Sequence, residues 1–187
     1  MFIETEATPN PSVLKFMPGR EVSPTDALDY RNIEQAEESP LASALFAQEN
    51  VTGVFLGPDF IAITKTENTD WQTIKPMLLG VIMDHFLSGL PVVTGSSGST
   101  DTFEYEGETA EIVEQIKELL DTRVRPAVAR DGGDIVFHHF DKDSGVVFLH
   151  MRGACAGCPS SSMTLKHGIE NLLKHYVPEV SSVEQAA

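Results

Sequence analysis

Few cysteines, little positive charge and no long apolar run set the first limits on this chain of 187 residues. Its two cysteines, Cys155 and Cys158, are too few to staple a secreted domain and suit a reducing compartment. Lys and Arg number 13 against 28 Asp and Glu, a formal net charge of -15. That excess repels phosphate backbones and anionic membrane surfaces, so no nucleic-acid and no membrane partner is expected. The charge is spread: residues 1–93 carry 5 basic and 13 acidic side chains, residues 94–187 carry 8 and 15. The longest apolar stretch, Met77 to Met83, ends at Asp84 and His85, far short of the roughly 20 residues of a spanning helix, and reads as a buried helix. The chain opens Met1-Phe2-Ile3-Glu4-Thr5-Glu6 with no basic segment leading into an apolar run. That opening predicts a bacterial-type cytoplasmic protein without a transit peptide. No Gly-rich phosphate loop, Ser/His/Asp set or pair of catalytic carboxylates stands out, so the chain is not expected to be an enzyme.

What is present falls into two halves. Thr94 to Gly107, rich in Gly, Ser, Thr and acids, reads as a flexible linker. The expected fold class is α+β: two small domains, 1–93 and 108–187, each a short, mostly antiparallel sheet packed with helices. In the first, Met1–Thr5 and Val13–Phe16 read as a hairpin around Pro9-Asn10-Pro11, and Val51–Leu56 with Phe60–Thr64 as another around Gly57-Pro58-Asp59. Ser39-Pro40 predicts a capped helix start. Thr69 with Gln72 predicts a capping box for a long helix that buries Ile74, Met77, Leu78, Val81, Ile82 and Phe86.

In the second half, a helix from Glu108 carries the stripe Ile112, Val113, Ile116, Leu119, Leu120 and Val124, and Pro126 is expected to kink or end it. Asp131-Gly132-Gly133-Asp134 reads as a helix C-cap and turn rather than a cation site. Strands Ile135–Phe140 and Val146–Met151 follow, then Gly153-Ala154-Cys155-Ala156-Gly157-Cys158-Pro159, then a helix burying Leu165, Ile169, Leu172, Leu173 and Tyr176. Val180–Val183 adds a short third strand.

The CxxC carries the chemistry. Pro159 fits the first helical position, which sets Cys158 at or beside the N-cap, where unpaired N–H groups and the dipole favour thiolates. The surrounding glycines suggest exposed thiols. A zinc site or an iron–sulfur cluster needs four ligands and this chain offers two thiols. His138, His139 and His150 fall on strands, away from the CxxC in sequence. A symmetric dimer closes the count, with two chains giving two thiols each. A redox dithiol and a dimeric zinc site remain alternatives. Arg152 and Lys166 flank the loop and read as solvated bases rather than as charge partners of a cluster, Met151 reads as core, and His85 as a hydrogen-bonded core or edge histidine.

Residues 124–185, with RPAVARDGGDIVF and VVFLHMRGACAGCPSSSMTLKHGIENLLKHYVPEV, resemble the C-terminal domain of NifU-like proteins. Residues 1 to about 90, opening MFIETEATPNPSVLKF, resemble the N-terminal domain that accompanies it in Nfu-type members. The resemblance implies that Cys155 and Cys158 are cluster ligands. It implies an assembly scaffold or carrier holding one 4Fe-4S cluster per homodimer, with 2Fe-2S as the variant. Apo-protein recipients and an upstream cluster donor are the implied partners.

Overall fold

The computed structural model describes residues 2–24, 26–94, 103–156 and 159–186, with side chains in the last stretch described from 163 onward. The chain divides into two compact units, Met1–Ser97 and Gly98–Ala187. Among the described residues no helix is long and apolar enough to cross a membrane.

The first unit is a five-stranded antiparallel sheet in the order β1-β2-β5-β4-β3. Its strands are β1 (Glu4–Ala7), β2 (Val13–Met17), β3 (Leu28–Tyr30), β4 (Val51–Leu56) and β5 (Ile61–Lys65). Both expected hairpins form, β1 with β2 and β4 with β5. The edge strand β3, paired with β4, had no expectation: three residues are too few to show a period of two.

Helix α1 (Pro40–Phe46) starts as the sequence predicts. Ser39 Oγ accepts the Ala42 N–H at 3.1 Å, Pro40 opens the helix, and Leu41 and Leu45 are buried. Helix α2 (Trp71–Ser88) starts one residue later than the expected box, because Asp70 is its cap, accepting the Gln72 N–H at 3.1 Å. Thr69 instead bonds the Thr66 hydroxyl at 2.8 Å. The buried stripe is Ile74, Leu78, Ile82 and His85. Met77 is 50% exposed and Met83 and Leu87 are also exposed, so the segment expected to be buried buries only one side. His85 Nε2 has no hydrogen-bond partner among the described residues, and burial lowers its pKa from the usual 6.5.

The second unit is a three-stranded sheet in the order β6-β7-β8, with β6 (Gly133–Asp141) antiparallel to β7 (Val146–Gly153) and β8 (Ser182–Gln185) parallel to it. Helix α3 (Glu108–Leu119) continues through a π segment (Leu120–Val124) into α4 (Arg125–Arg130). Pro126 therefore does not end the helical run: it sits at the start of α4, directly after the irregular π segment. Helix α5 (Pro159–Tyr176) packs Ile169 and Leu173 into the core, while Tyr176, expected inside, is 46% exposed.

Of the stretch expected as a linker, residues 95–102 lie outside the described residues. Thr94 is bound into the first unit, its N–H and hydroxyl both donating to Glu38 O at 2.8 and 3.0 Å. Tyr105 packs against the core of the second unit.

Candidate functional site

The CxxC lies between β7 and α5, as the strand and helix signals predict. Cys158, immediately before Pro159, lies outside the described residues, so its expected place at the N-cap has no counterpart to compare. Cys155 is described, and it is not exposed. It is 6% accessible and belongs to the hydrophobic cluster containing Ile135, Leu149, Met151 and Ile169. Met151 is a core residue, as expected.

Two adjacent glycines make that position available. Gly132 adopts φ 77°, closing the turn after α4, and its carbonyl accepts the Ala154 N–H at 3.1 Å. Gly133 pairs across the ladder with Gly153. A Cβ on Gly133 would run into Cys155 Sγ and would lie 2.9 Å from the Cys155 nitrogen and 3.0 Å from Arg152 O. Only a residue without a side chain lets the thiol sit there.

Asp131-Gly132-Gly133-Asp134 is a helix C-cap and turn over its first half, with Asp131 capping α4. Asp134 does more than turn the chain. It is a buried strand residue whose carboxylate takes two bonds from Arg125, Nε to Oδ1 at 2.8 Å and Nη2 to Oδ2 at 3.0 Å. Arg125 also reaches Asp121 at 3.2 Å. The hydrogen bonds that Arg125 donates to Asp134 hold the guanidinium above its ordinary pKa. Sequence reasoning missed this fork because the partners are nine residues apart on different elements.

The thiol itself departs from expectation. Burial first, then the negative charges of Asp131 and Asp134, push the Cys155 pKa up to about 12. Cys155 stands three residues before Cys158, short of the helix end whose dipole was expected to favour thiolate. The anticipated pre-activation therefore does not hold at Cys155 in this conformation. Lys166, read as solvated, pairs with Glu184 at 2.9 Å and so ties α5 to β8.

Fold and loop define a two-unit α+β protein whose Cys155 sits in a glycine-built turn ahead of a helix. The sequence pattern described as "Scaffold protein Nfu/NifU N terminal" matches residues 3–89, and the one described as "NifU-like domain" matches residues 116–184. Among similar proteins, "NifU-like protein 5, mitochondrial" of Arabidopsis thaliana is 50% identical over 99% of this chain and 68% of its own length. "NFU1 iron-sulfur cluster scaffold homolog, mitochondrial" of Homo sapiens is 50% identical over 99% of this chain and 72% of its own length. The solution structure of a NifU-like protein from Saccharomyces cerevisiae is 26% identical, with a TM-score of 0.46 over 52% of this chain and 87% of its own. The chain belongs to the NifU-like family, with both an Nfu-type N-terminal region and a NifU-like C-terminal region.

The chain spans about two thirds of the length of several of these relatives, 66% and 65% in two further cases. The expectation of a bacterial-type cytoplasmic protein is overturned by the similar proteins of Arabidopsis thaliana, Drosophila sechellia and Homo sapiens, which are named mitochondrial. An opening without a basic, apolar leader does not by itself report a cellular address.

Proposed function

We propose that this chain is an iron–sulfur cluster scaffold or carrier. Cys155 and Cys158 of two subunits enclose one 4Fe-4S cluster, which then passes to apo-proteins. The observation that carries this reading is the half set of ligands. The sequence holds two cysteines, both in one CxxC between the residues of a strand and those of a helix, and a cluster takes four. Relatives half identical over nearly the whole chain are named iron–sulfur cluster scaffold homologs, which supports the same class of cargo.

The loop geometry supports a cargo rather than a permanent fitting. A ligating Cys155 leaves its bed on Gly133 and loses its proton, which the iron's positive charge drives. When a recipient thiolate takes over that iron, the departing Cys155 sulfur regains a proton. Burial and the charges of Asp131 and Asp134 favour that protonated form. A cluster held across two subunits also loses half its ligands when they separate. The dithiol oxidoreductase alternative gains nothing here, since a redox nucleophile needs an accessible thiolate and has no bound iron to stabilise one.

Anaerobic reconstitution with iron and sulfide, read by visible absorption and native mass, tests the proposal. The expected product is a dimer with about four irons, lost in Cys155→Ala and in Cys158→Ala. A colourless monomer after reconstitution overturns the reading. CxxC-dependent reduction of insulin by the iron-free protein would favour the oxidoreductase instead.

A further inference from the structure

Three histidines that the thiol loop does not use gather on one side of the β6–β7 ladder. Leu149 and Met151 turn into the core, so His150 between them points the other way. A bulge between Phe137 and His139 leaves His138 as the extra residue in β6. Bulges re-aim side chains, and this one sets His138 and His139 both on the His150 side. His138 bonds His150, while His139 stacks on Phe148 at 6.0 Å.

His138 Nδ1 and His150 Nε2 stand 3.0 Å apart, with ring centroids 4.3 Å apart and planes at 61°. Two imidazole nitrogens bound to one tetrahedral zinc at its usual bond length are about 3.3 Å apart. An ion between these rings needs the nitrogens to part by about 0.3 Å and each ring to turn so that its lone pair faces the ion. The cross-strand placement already holds both rings side by side, which lowers the ordering entropy that opposes binding. His139 has a different task. The Tyr105 hydroxyl accepts the Phe140 N–H at 2.9 Å and has its own proton to give to His139 Nδ1, also at 2.9 Å. Phe103 lies edge-on to His138 at 5.5 Å and walls one flank.

We propose that His138 Nδ1 and His150 Nε2 form a second metal site on the sheet face, taking one divalent late first-row ion such as zinc, with water filling the remaining positions. Imidazole nitrogen suits these ions, whereas the thiols of the CxxC suit a cluster. For the ion to bind, the proton now shared between the two nitrogens moves to an outer ring nitrogen, His138 Nε2 or His150 Nδ1. With two protein donors the site is exchangeable rather than structural. Among the described residues no group of three or more His, Cys, Asp or Glu is placed to hold a metal.

Zinc is titrated into the intact, reduced chain while imidazole nitrogens are followed by NMR, which separates ion taken by histidines from ion taken by thiols. The expected result is a joint shift of His138 Nδ1 and His150 Nε2 with His139 unmoved. His138→Gln and His150→Gln should each weaken uptake at this site by more than the roughly 10–100-fold that loss of an outer-shell partner causes. His139→Gln should leave it in place. His138 and His150 nitrogens that stay unmoved in excess zinc, or that shift together with His139, overturn the site. Because the ring signals are read on the unsubstituted chain, they decide the matter whether or not any variant folds.

Discussion

The two units bury polar groups for different ends. In the first, Ser39 caps α1 and its hydroxyl also donates to Val92 O at 2.6 Å, while the Asn10 side chain accepts the Ser12 N–H at 3.0 Å in the turn before β2. These bonds close local structure around a core of aliphatic and aromatic side chains. In the second, a buried carboxylate and a buried thiol lie close enough for one to raise the pKa of the other. The five-stranded unit spends its interior on stability, whereas the three-stranded unit keeps reactive groups inside and holds them in place with Arg125 and two glycines.

Substitutions that strike one unit and spare the other put that contrast at risk. Leu78 is fully buried on α2, and Leu78→Ala should destabilise the first unit by about 2–5 kcal/mol. Amide signals of the second unit should melt as before, and a joint melt would show that the units do not stand alone. Gly133→Ala should cost about 1–3 kcal/mol through overpacking against Cys155 and should lower iron retained after reconstitution. Full retention of iron would show that the thiol does not need its bed. Asp134→Ala should cost about 1–3 kcal/mol, below a fully buried pair because Arg125 is 39% exposed and water can reach it. Thermal melts of the second unit measure it.

Gly80 gives the opposite sign. A Cβ there meets nothing within 4 Å, so Gly80→Ala in α2 should stabilise the first unit by about 0.5–1 kcal/mol. The smallest effect is on pH dependence. His85 prefers to be neutral when folded, so below its ordinary pKa of 6.5 the unfolded chain takes up a proton that the folded one resists. Stability present above pH 6.5 is lost as pH falls, and His85→Leu should flatten that part of the melting-temperature curve between pH 7 and 5. An unchanged slope would show that His85 does not set the acid limb.

Local signals were legible and distant ones were not. Ser39-Pro40 and Gly57-Pro58-Asp59 declare a cap and a hairpin within a few residues, and both stand in the structure. The strand before the CxxC and the helix after it were readable for the same reason. On α2 the hydrophobic period and the reading of His85 as a core residue hold for Ile74, Leu78, Val81, Ile82, His85 and Phe86, while Met77 lies off the covered face and is 50% exposed. At the site, Gly133 meets Cys155 across 22 positions, and Arg125 meets Asp134 across a helix and a turn. Neither contact follows from spacing, since the first is created when β6 and β7 pair and the second when α4 folds back against β6. The His138–His150 contact depends on a bulge that no residue in β6 announces.

The π segment at Leu120–Val124 and the bulge at Phe137/His139 lie on either side of the Asp131–Asp134 turn, and each carries one residue more than its regular counterpart. Deleting one residue from 120–124 would restore an unbroken α-helix and rotate its upstream part by about 100° relative to Arg125. Either the stripe that buries Val113 and Ile116 or the guanidinium that grips Asp134 would then face the wrong way. The irregular turn lets one helical run satisfy the core at its start and the thiol loop at its end, so a shorter chain at this point would have to give up one of them.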